Sequence, residues 1–580
     1  MDTFNYFWCL FTNFQNGLVI KFLCISLLFA GLATNLNAQS TFVPLDSEEQ
    51  LLFDRMEALS GQMDLNSGGN YLPLERKAFA EYLTKLKSER LKGAPISLSP
   101  TDQNLIDRAI GLNGEWVEDA TGMDGAIPTK KPILKYFYTT KGNLYHVNTD
   151  NFFLTVNPIL YTQLSANFGE TDERGYTNLR GAELRGRIAN RIGFYTMLGD
   201  QQQQPLPLVY GWEQQYHSYP GNDYYILKDK TFDAFLGRGY ITFDAFKNNL
   251  QVAFGYDKQF VGNGVRSLVQ SNETAASTFL RVKFEIGKFT FDNLYQELVG
   301  DFPGLGNDER LPKKYSAYNQ LSTMLLPNLN IGIFESTVFD NSCLHLTNVI
   351  PVVFSQTIAR SLGAQQKTSL GLNFKYLPIR GVQVYGQGLI DQLDFSAIGK
   401  GSYKNSWAGQ LGVKYYNAFS VSNLDLQLEG NYVRPFMYQS NDGRTNGTHY
   451  NQPLAHPMGA GFAEGIFKIK YQPTAKWFID VLASYYIGNA DTSANFGTNL
   501  SVPKDQRIKD DGYGFLPENK RKSFYVNGNI AYELFTNFFL EIGVTAGKSN
   551  IPIFTTNGTQ VNAYGGLRWN IARKQNFIYN

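Results

Sequence analysis

From residue 152 to residue 571 the chain alternates apolar and polar side chains with a period of two. Leu424, Leu426 and Leu428 alternate with Asp425, Gln427 and Glu429, and Leu280, Val282, Phe284 and Ile286 with Arg281, Lys283 and Glu285. Phe538, Leu540, Ile542 and Val544 alternate with Phe539, Glu541, Gly543 and Thr545, and Val561 to Ile571 repeats the pattern. A strand sends successive side chains to opposite faces, so each segment has one apolar and one polar face. Segments of about ten residues with this pattern mark a sheet that lipid meets on one side and a polar lumen on the other.

The connections between segments alternate too. Short turns are expected at Ala189-Asn190, Lys247-Asn248-Asn249, Gly287-Lys288, Pro327-Asn328, Pro378-Ile379-Arg380, Gln472-Pro473-Thr474 and Phe535-Thr536-Asn537. Long polar loops at 201–231, 258–277, 299–315, 340–366, 434–460 and 488–521 separate them. Short turns on one side and long loops on the other are the two ends of an outer-membrane barrel. The expected fold is all-β, a transmembrane antiparallel β-barrel of about 18 strands, with both ends of the barrel chain on the short-turn side. A soluble sandwich or propeller also alternates, but aromatic rings gather at segment ends (Tyr376, Tyr415, Tyr432, Tyr471, Trp477, Tyr485, Phe524, Tyr532, Trp569), as interfacial girdles do. A mean hydropathy of −0.27 excludes a bundle of membrane helices but not such a barrel. The balance of 52 basic against 51 acidic residues argues against a nucleic-acid partner.

Ahead of the barrel, residues 1–38 read as a cleaved signal segment, with Lys21, an apolar run and Ala38 before the cut. Cys9 and Cys24 fall inside it, which leaves Cys343 and no disulfide within the mature chain. Residues 39–112 read as a small periplasmic helical unit. Asp46 and Glu49 form an expected capping box, Phe79, Leu83 and Leu86 share a helical face, and Ser99 with Pro100 opens a third helix. Residues 113–151 are a linker and lead-in strand, 152–571 the barrel and 572–580 a periplasmic tail.

No motif for catalysis, metal or cofactor emerges. His146, His217, His345, His449 and His456 have no metal-site spacing, and no G-x-S-x-G elbow is present. Gly262-Asn263-Gly264 lacks the Lys-Ser/Thr ending of a phosphate loop. The expectation is therefore no enzyme, no cofactor and no metal, with a hydrolase assembled across strands as the competing idea. Tyr210, Trp212, Tyr216, Tyr219, Tyr224 and Tyr225 lie in one expected outer loop, where ring faces beside Gln, Asn and Asp suit sugar stacking or a loop packed on itself. The expected lumen carries Arg185, Arg187, Arg238, Arg281, Lys283, Lys375, Lys414, Lys468, Lys470 and Arg568. Facing them are Glu183, Glu285, Asp425, Glu429, Asp480, Glu533 and Glu541. Such mixed charge fits a wet or ion-paired interior.

Two stretches resemble a known family. Phe260 to Leu268 with Gln270-Ser271-Asn272, carrying Gly262, Asn263, Gly264, Arg266, Ser267 and Asn272, looks like the glycine-rich loop of the Wzi capsule-assembly family. Val261 stands where that loop usually has Trp. Tyr450 to Ala460, with Pro453, His456, Pro457 and Gly459, resembles a stretch of Bacteroidetes outer-membrane proteins, some linked to gliding motility. The resemblance implies an eighteen-stranded barrel with helices at its periplasmic end. It also implies a role in binding surface exopolysaccharide for capsule attachment or gliding-related adhesion. A passive porin for small solutes is the alternative. The implied setting is the outer membrane of a Gram-negative bacterium. A monomer would there meet lipid, polysaccharide and envelope proteins. Tyr210, Trp212, Tyr216, Tyr219, Tyr224, Tyr225 and Arg266 are the expected polysaccharide contacts.

Overall fold

The computed structural model describes residues 40–63, 70–117, 136–140, 142–168, 173–189, 191–205, 212–213, 216–245, 249–300, 311–340, 350, 352–355, 366–490, 495–549 and 559–573. The signal segment, the three cysteines, Tyr210 and the periplasmic tail from 574 onward lie outside them.

Eighteen strands close into one antiparallel barrel. They are β1 (Phe152–Phe168), β2 (Arg174–Ile188), β3 (Ile192–Gln204), β4 (Thr231–Ala245), β5 (Leu250–Asp257) and β6 (Ser277–Ile286). Next come β7 (Phe289–Val299), β8 (Lys313–Leu326), β9 (Leu329–Asp340), β10 (Gln366–Ile379), β11 (Val382–Gln392) and β12 (Ser406–Tyr415). The last are β13 (Leu424–Val433), β14 (Phe462–Thr474), β15 (Trp477–Asn489), β16 (Lys520–Phe535), β17 (Phe538–Ser549) and β18 (Thr559–Trp569). Each pairs with its neighbours in sequence, and β18 returns to β1 from Val561↔Phe168 to Trp569↔Leu160. Closure leaves no unpaired edge, which a backbone in lipid requires. A short strand, Tyr145–Asn148, pairs with the start of β1.

Alternation sets the two faces. On β17, Leu540, Ile542 and Val544 are exposed on the outside, while Glu541 between them is 3% exposed in the lumen. Outward rings recur eight positions apart on three strands: Trp407 and Tyr415 on β12, Tyr485 and Trp477 on β15, Phe524 and Tyr532 on β16. At about 3.4 Å per residue that is roughly 27 Å along a tilted strand, the span of an apolar band about 25 Å tall. Among the described residues no helix is long and apolar enough to cross a membrane.

Two expected turns come slightly later in the chain. β14 runs through Gln472-Pro473-Thr474 with its register broken between Tyr471 and Thr474, and Ala475-Lys476 makes the turn. β10 likewise passes through Pro378 to Ile379, with a break after Tyr376. Proline has no N–H for the ladder, so it marks a bulge here rather than a strand end.

Three helices precede the barrel: α1 (Glu48–Ser60), α2 (Arg76–Leu91) and α3 (Pro100–Leu112). Ser99 caps α3 in a reciprocal box with Asp102, and Pro100 takes the first turn. The cap of α1 is Ser47, whose hydroxyl accepts from the Gln50 amide, not Asp46 with Glu49. Asp46 has a positive φ, incompatible with that role, and its carboxylate accepts from Asn272, while Glu49 meets Arg76 and Asn113. Leu52, Phe53, Met56, Phe79, Leu83 and Ile106 form the core of this unit. It also packs on Leu377 and Tyr416 beside the short turns. The amides of Met63 and Gly381 donate to Pro327 O (3.2 Å) and Ala58 O (2.8 Å), which fixes the helices at the short-turn end.

Candidate binding site in the lumen

Wall charges that the alternation placed in the lumen meet charges on the helical leader. Arg55 of α1 donates to Asp102 of α3 (2.9 Å), to Asn417 (2.6 Å) in the turn before β13 and to Asp425 on β13. Lys414 reaches Asp54 (2.7 Å), and Lys375 is bonded to Glu57. Arg108 pairs with Glu533, Arg185 with Glu115, and Arg568 bridges Glu48 (2.8 Å) and Glu541 (2.7 Å). Burial opposes the charge on Asp54, but the ammoniums of Lys414 and Lys375 hold it below the usual carboxylate range. Ion pairs from β2, β10, β12, β13, β16 and β18 thus surround the leader. Its partners were missed in the sequence, although Asp54, Arg55 and Glu57 interrupt the apolar pattern of α1.

From the other end the loop between β5 and β6 enters the lumen. Phe260–Val261 pairs with the two-residue strand Tyr71–Leu72 of the leader, and the Gly262 amide donates to Asn70 O at 2.7 Å. Asn263 bonds the Asn70 side chain. Val265 and Arg266 amides donate to Glu429 (2.6 and 3.1 Å), and Leu268 N donates to Gln387 Oε1 (2.9 Å). The Ser267 hydroxyl donates to Val261 O at 2.6 Å and accepts from the Val269 and Gln270 amides. A Cβ on Gly264 would lie 2.5 Å from Glu429 Oε2, so close approach to the wall explains this glycine. Arg266 is 1% exposed, with Glu273 at 3.3 Å and Glu464 at 3.5 Å. It is a buried clasp, with no surface for a polysaccharide.

The second motif fastens three loops. Gln452 accepts from Gly221 N (2.8 Å) and donates to Tyr219 O and Asn222 O, and Leu454 O accepts from Ser271 N (2.8 Å). Pro453 pairs with Thr448 in a two-residue ladder, and Pro457 is buried. Gly459 has φ +72°, and a Cβ there would press on Thr498 O. His456 Nδ1 accepts from Met458 N (3.2 Å), so Nε2 donates to Glu464 at 2.7 Å. Ser484 donates to the same Glu464 (2.9 Å) rather than to His456, so the trio lacks the nucleophile–base contact that hydrolysis needs. His449 Nδ1 accepts from Val299 N (2.9 Å), and Nε2 donates to Ala276 O (2.8 Å). Among the described residues no three His, Cys, Asp or Glu side chains are grouped to hold a metal.

His449 makes this clasp acid-sensitive. Burial pushes its imidazole down to about 4, against the pull of the Ala276 hydrogen bond and with repulsion from Lys314. In an unfolded loop it would titrate near its ordinary value of about 6.5. The clasp is therefore at full strength above that pH and weakens as pH falls from about 6.5 toward 4. Limited proteolysis of the loops over this range should show rising cleavage in the wild type and a flatter profile in His449→Gln.

The aromatic loop between β3 and β4 packs mainly on itself. Trp212, Tyr219 and Tyr225 are buried with Phe232, Ala234 and Val299, Tyr219 stacks on Phe232 at 4.4 Å, and Tyr216 lies against Trp212. Of the described rings only Tyr224, 53% exposed, offers an open face. The buried rings are spent on holding the loop, so they do not form the sugar-stacking surface expected of them.

A lumenal cavity of about 370 Å³ lies on the β1–β4 and β14–β18 side. Its floor is Phe42 to Arg55, and it reaches Pro205, Gly221 and Asn222 in the outer loop. Gln163 and Ser165 of β1, Thr177 of β2, and Gln201 and Gln203 of β3 form a ladder of uncharged donors and acceptors along one wall. Tyr161 donates to Gln163 (2.7 Å), Gln201 to Gln203 (3.0 Å), and Tyr564 lines the same space.

No protein family and no curated protein matches the sequence. Among solved structures the chain is similar to Wzi of Escherichia coli, described as an outer membrane protein involved in group 1 capsule assembly and a carbohydrate-binding β-barrel. The TM-score is 0.52 at 11% identity, over 93% of this chain and 100% of that one. The chain's fold is that of an outer-membrane β-barrel. OprD of Pseudomonas aeruginosa (TM-score 0.41, 10% identity, 72% of this chain and 94% of that one) and OccK8 of the same organism (0.40, 10%, 72% and 97%) are more distant and carry no further argument. At 11% identity the Wzi likeness is one of fold.

Proposed function

We propose that this barrel binds surface exopolysaccharide, in capsule attachment or in adhesion of the kind that serves gliding, and that it binds without catalysis. The observation that carries this reading is the lumenal cavity with its ladder of Gln163, Thr177, Gln201 and Gln203. Its volume is within the roughly 300–1,000 Å³ of small-ligand sites. Amides and hydroxyls in a row offer neutral donors and acceptors at strand spacing, which suits sugar hydroxyls better than ions. The helices and the glycine-rich loop also enter the lumen, an arrangement that favours holding a chain over passing solutes. The fold likeness to a barrel described as carbohydrate-binding points the same way.

The test is equilibrium binding of the host's purified exopolysaccharide to full-length protein. Gln201→Ala combined with Gln203→Ala removes two hydrogen-bonding groups worth about 0.5–1.5 kcal/mol each. Affinity should fall by roughly 5- to 150-fold, since about 1.4 kcal/mol is a factor of ten. Unchanged affinity in a correctly folded double variant contradicts the assignment of this wall.

A further inference from the structure

We propose that the outer rim of β16 and β17 holds a phosphorylated lipid of the outer leaflet. On β16 Phe524 and Ile530 face outward, while Asn529 and Glu533 are buried in the lumen. Lys522 and Lys520 continue the outward row beyond Phe524, and Lys548 of β17 lies directly opposite Phe524. Toward β15, Lys522 is opposite Ile487 and Lys520 opposite Asn489. Arg521 is not part of this row, because its guanidinium lies over the Tyr486 ring, 5.4 Å from the centroid.

All three lysines are exposed. Among the described residues none of their ammonium groups forms an ion pair or hydrogen bond. Glu518 is the one acid between Gly512 and Lys548 outside the lumen, since Glu533 and Glu541 are buried there. Lys522 is diagonal to Lys548, about 7–8 Å away by strand geometry, and Lys520 is two positions beyond Lys522. Like charges at that separation repel, and a phosphate between them offsets the repulsion.

Height and continuity select the occupant. The lysines begin where the outer aromatic row (Tyr485, Phe524) ends, which is headgroup level. Ile487 lies beside Lys522, and directly below are Tyr485 and Phe524, continuous with the lipid-facing belt. A phosphate on a lipid meets the lysines while its chains lie on that belt. This inference is independent of the lumenal reading.

The experiment uses full-length protein in detergent, with lipid binding counted by native mass spectrometry. The probes are bisphosphorylated lipid A and its dephosphorylated form. Wild type should bind the phosphorylated lipid at least roughly tenfold more tightly, since each lysine near a charged lipid surface contributes about 1 kcal/mol. The K520Q/K522Q/K548Q variant should lose that preference while keeping its heat-modifiable barrel. Equal binding of the two lipids by wild type, which needs no variant to fold, overturns the proposal. So does an unchanged preference in the triple variant. Complete displacement by equimolar inorganic phosphate would show a free-anion site and overturn the lipid assignment.

Discussion

Arg266→Ala should release the glycine-rich loop from the barrel wall at a cost of about 3–5 kcal/mol, the range for removing one partner of a buried ion pair. The guanidinium is 1% exposed and lies between Glu273 on its own loop and Glu464 on β14. Without it, Glu464 keeps His456 and Ser484 but loses its strong cation, and Glu429 loses a nearby positive charge. The other hydrogen bonds that tie its tip to the wall run through loop backbone groups: the Val265 and Arg266 amides donate to Glu429, Gln410 Nε2 donates to Arg266 O and the Leu268 amide donates to Gln387. Proteolytic cleavage within 258–276 and a lowered heat-modification midpoint would report the release. Arg266→Lys keeps the charge but not the fork that spans two carboxylates, so it should recover only part of the loss.

A loss of similar size, about 3–5 kcal/mol, is expected for Arg55→Ala, this time at the opposite end of the lumen. Arg55 joins α1 to α3 through Asp102 and both to the barrel through Asp425 and Asn417. Asp102 is fully buried and also belongs to the capping box of α3, so removing its cation weakens a helix start as well as a contact. The helices should detach from β13 while the eighteen strands stay closed, because strand pairing does not pass through Arg55. Hydrogen exchange should therefore rise in α1 and α3 and remain low in β12 to β14.

The barrel was legible because lipid and lumen impose opposite chemistry on alternate residues. Leu540, Ile542 and Val544 could only face outward, and Glu541 could only face inward. The lumenal set from Arg185 to Arg568 was readable for the same reason. Its partners were not, because a period of two says which face a charge takes and nothing about what enters the lumen. Arg55 and Glu57, charged residues buried in a helix, were the available sign that the leader inserts among those charges. Capping was read one residue early at Asp46, whose positive φ no local pattern announces. The aromatic loop misled because Trp and Tyr suit a sugar platform and a small core equally well, and only the packing of Tyr219 on Phe232 separates the two. Arg266 looked like a surface contact because a glycine-rich loop outside a barrel reads as exposed. Its inward course depends on Asn70, which lies 193 positions before its partner Asn263.

The central claim is that leader and loop turn the lumen into a binding cavity instead of a diffusion pore. Planar-bilayer recording of the full-length protein in concentrated potassium chloride tests it most directly. The structure predicts no large steady current from wild type, and steady openings once Arg266→Ala frees the loop and Arg55→Ala the helices. A large, steady, ohmic conductance from the unaltered protein would contradict it.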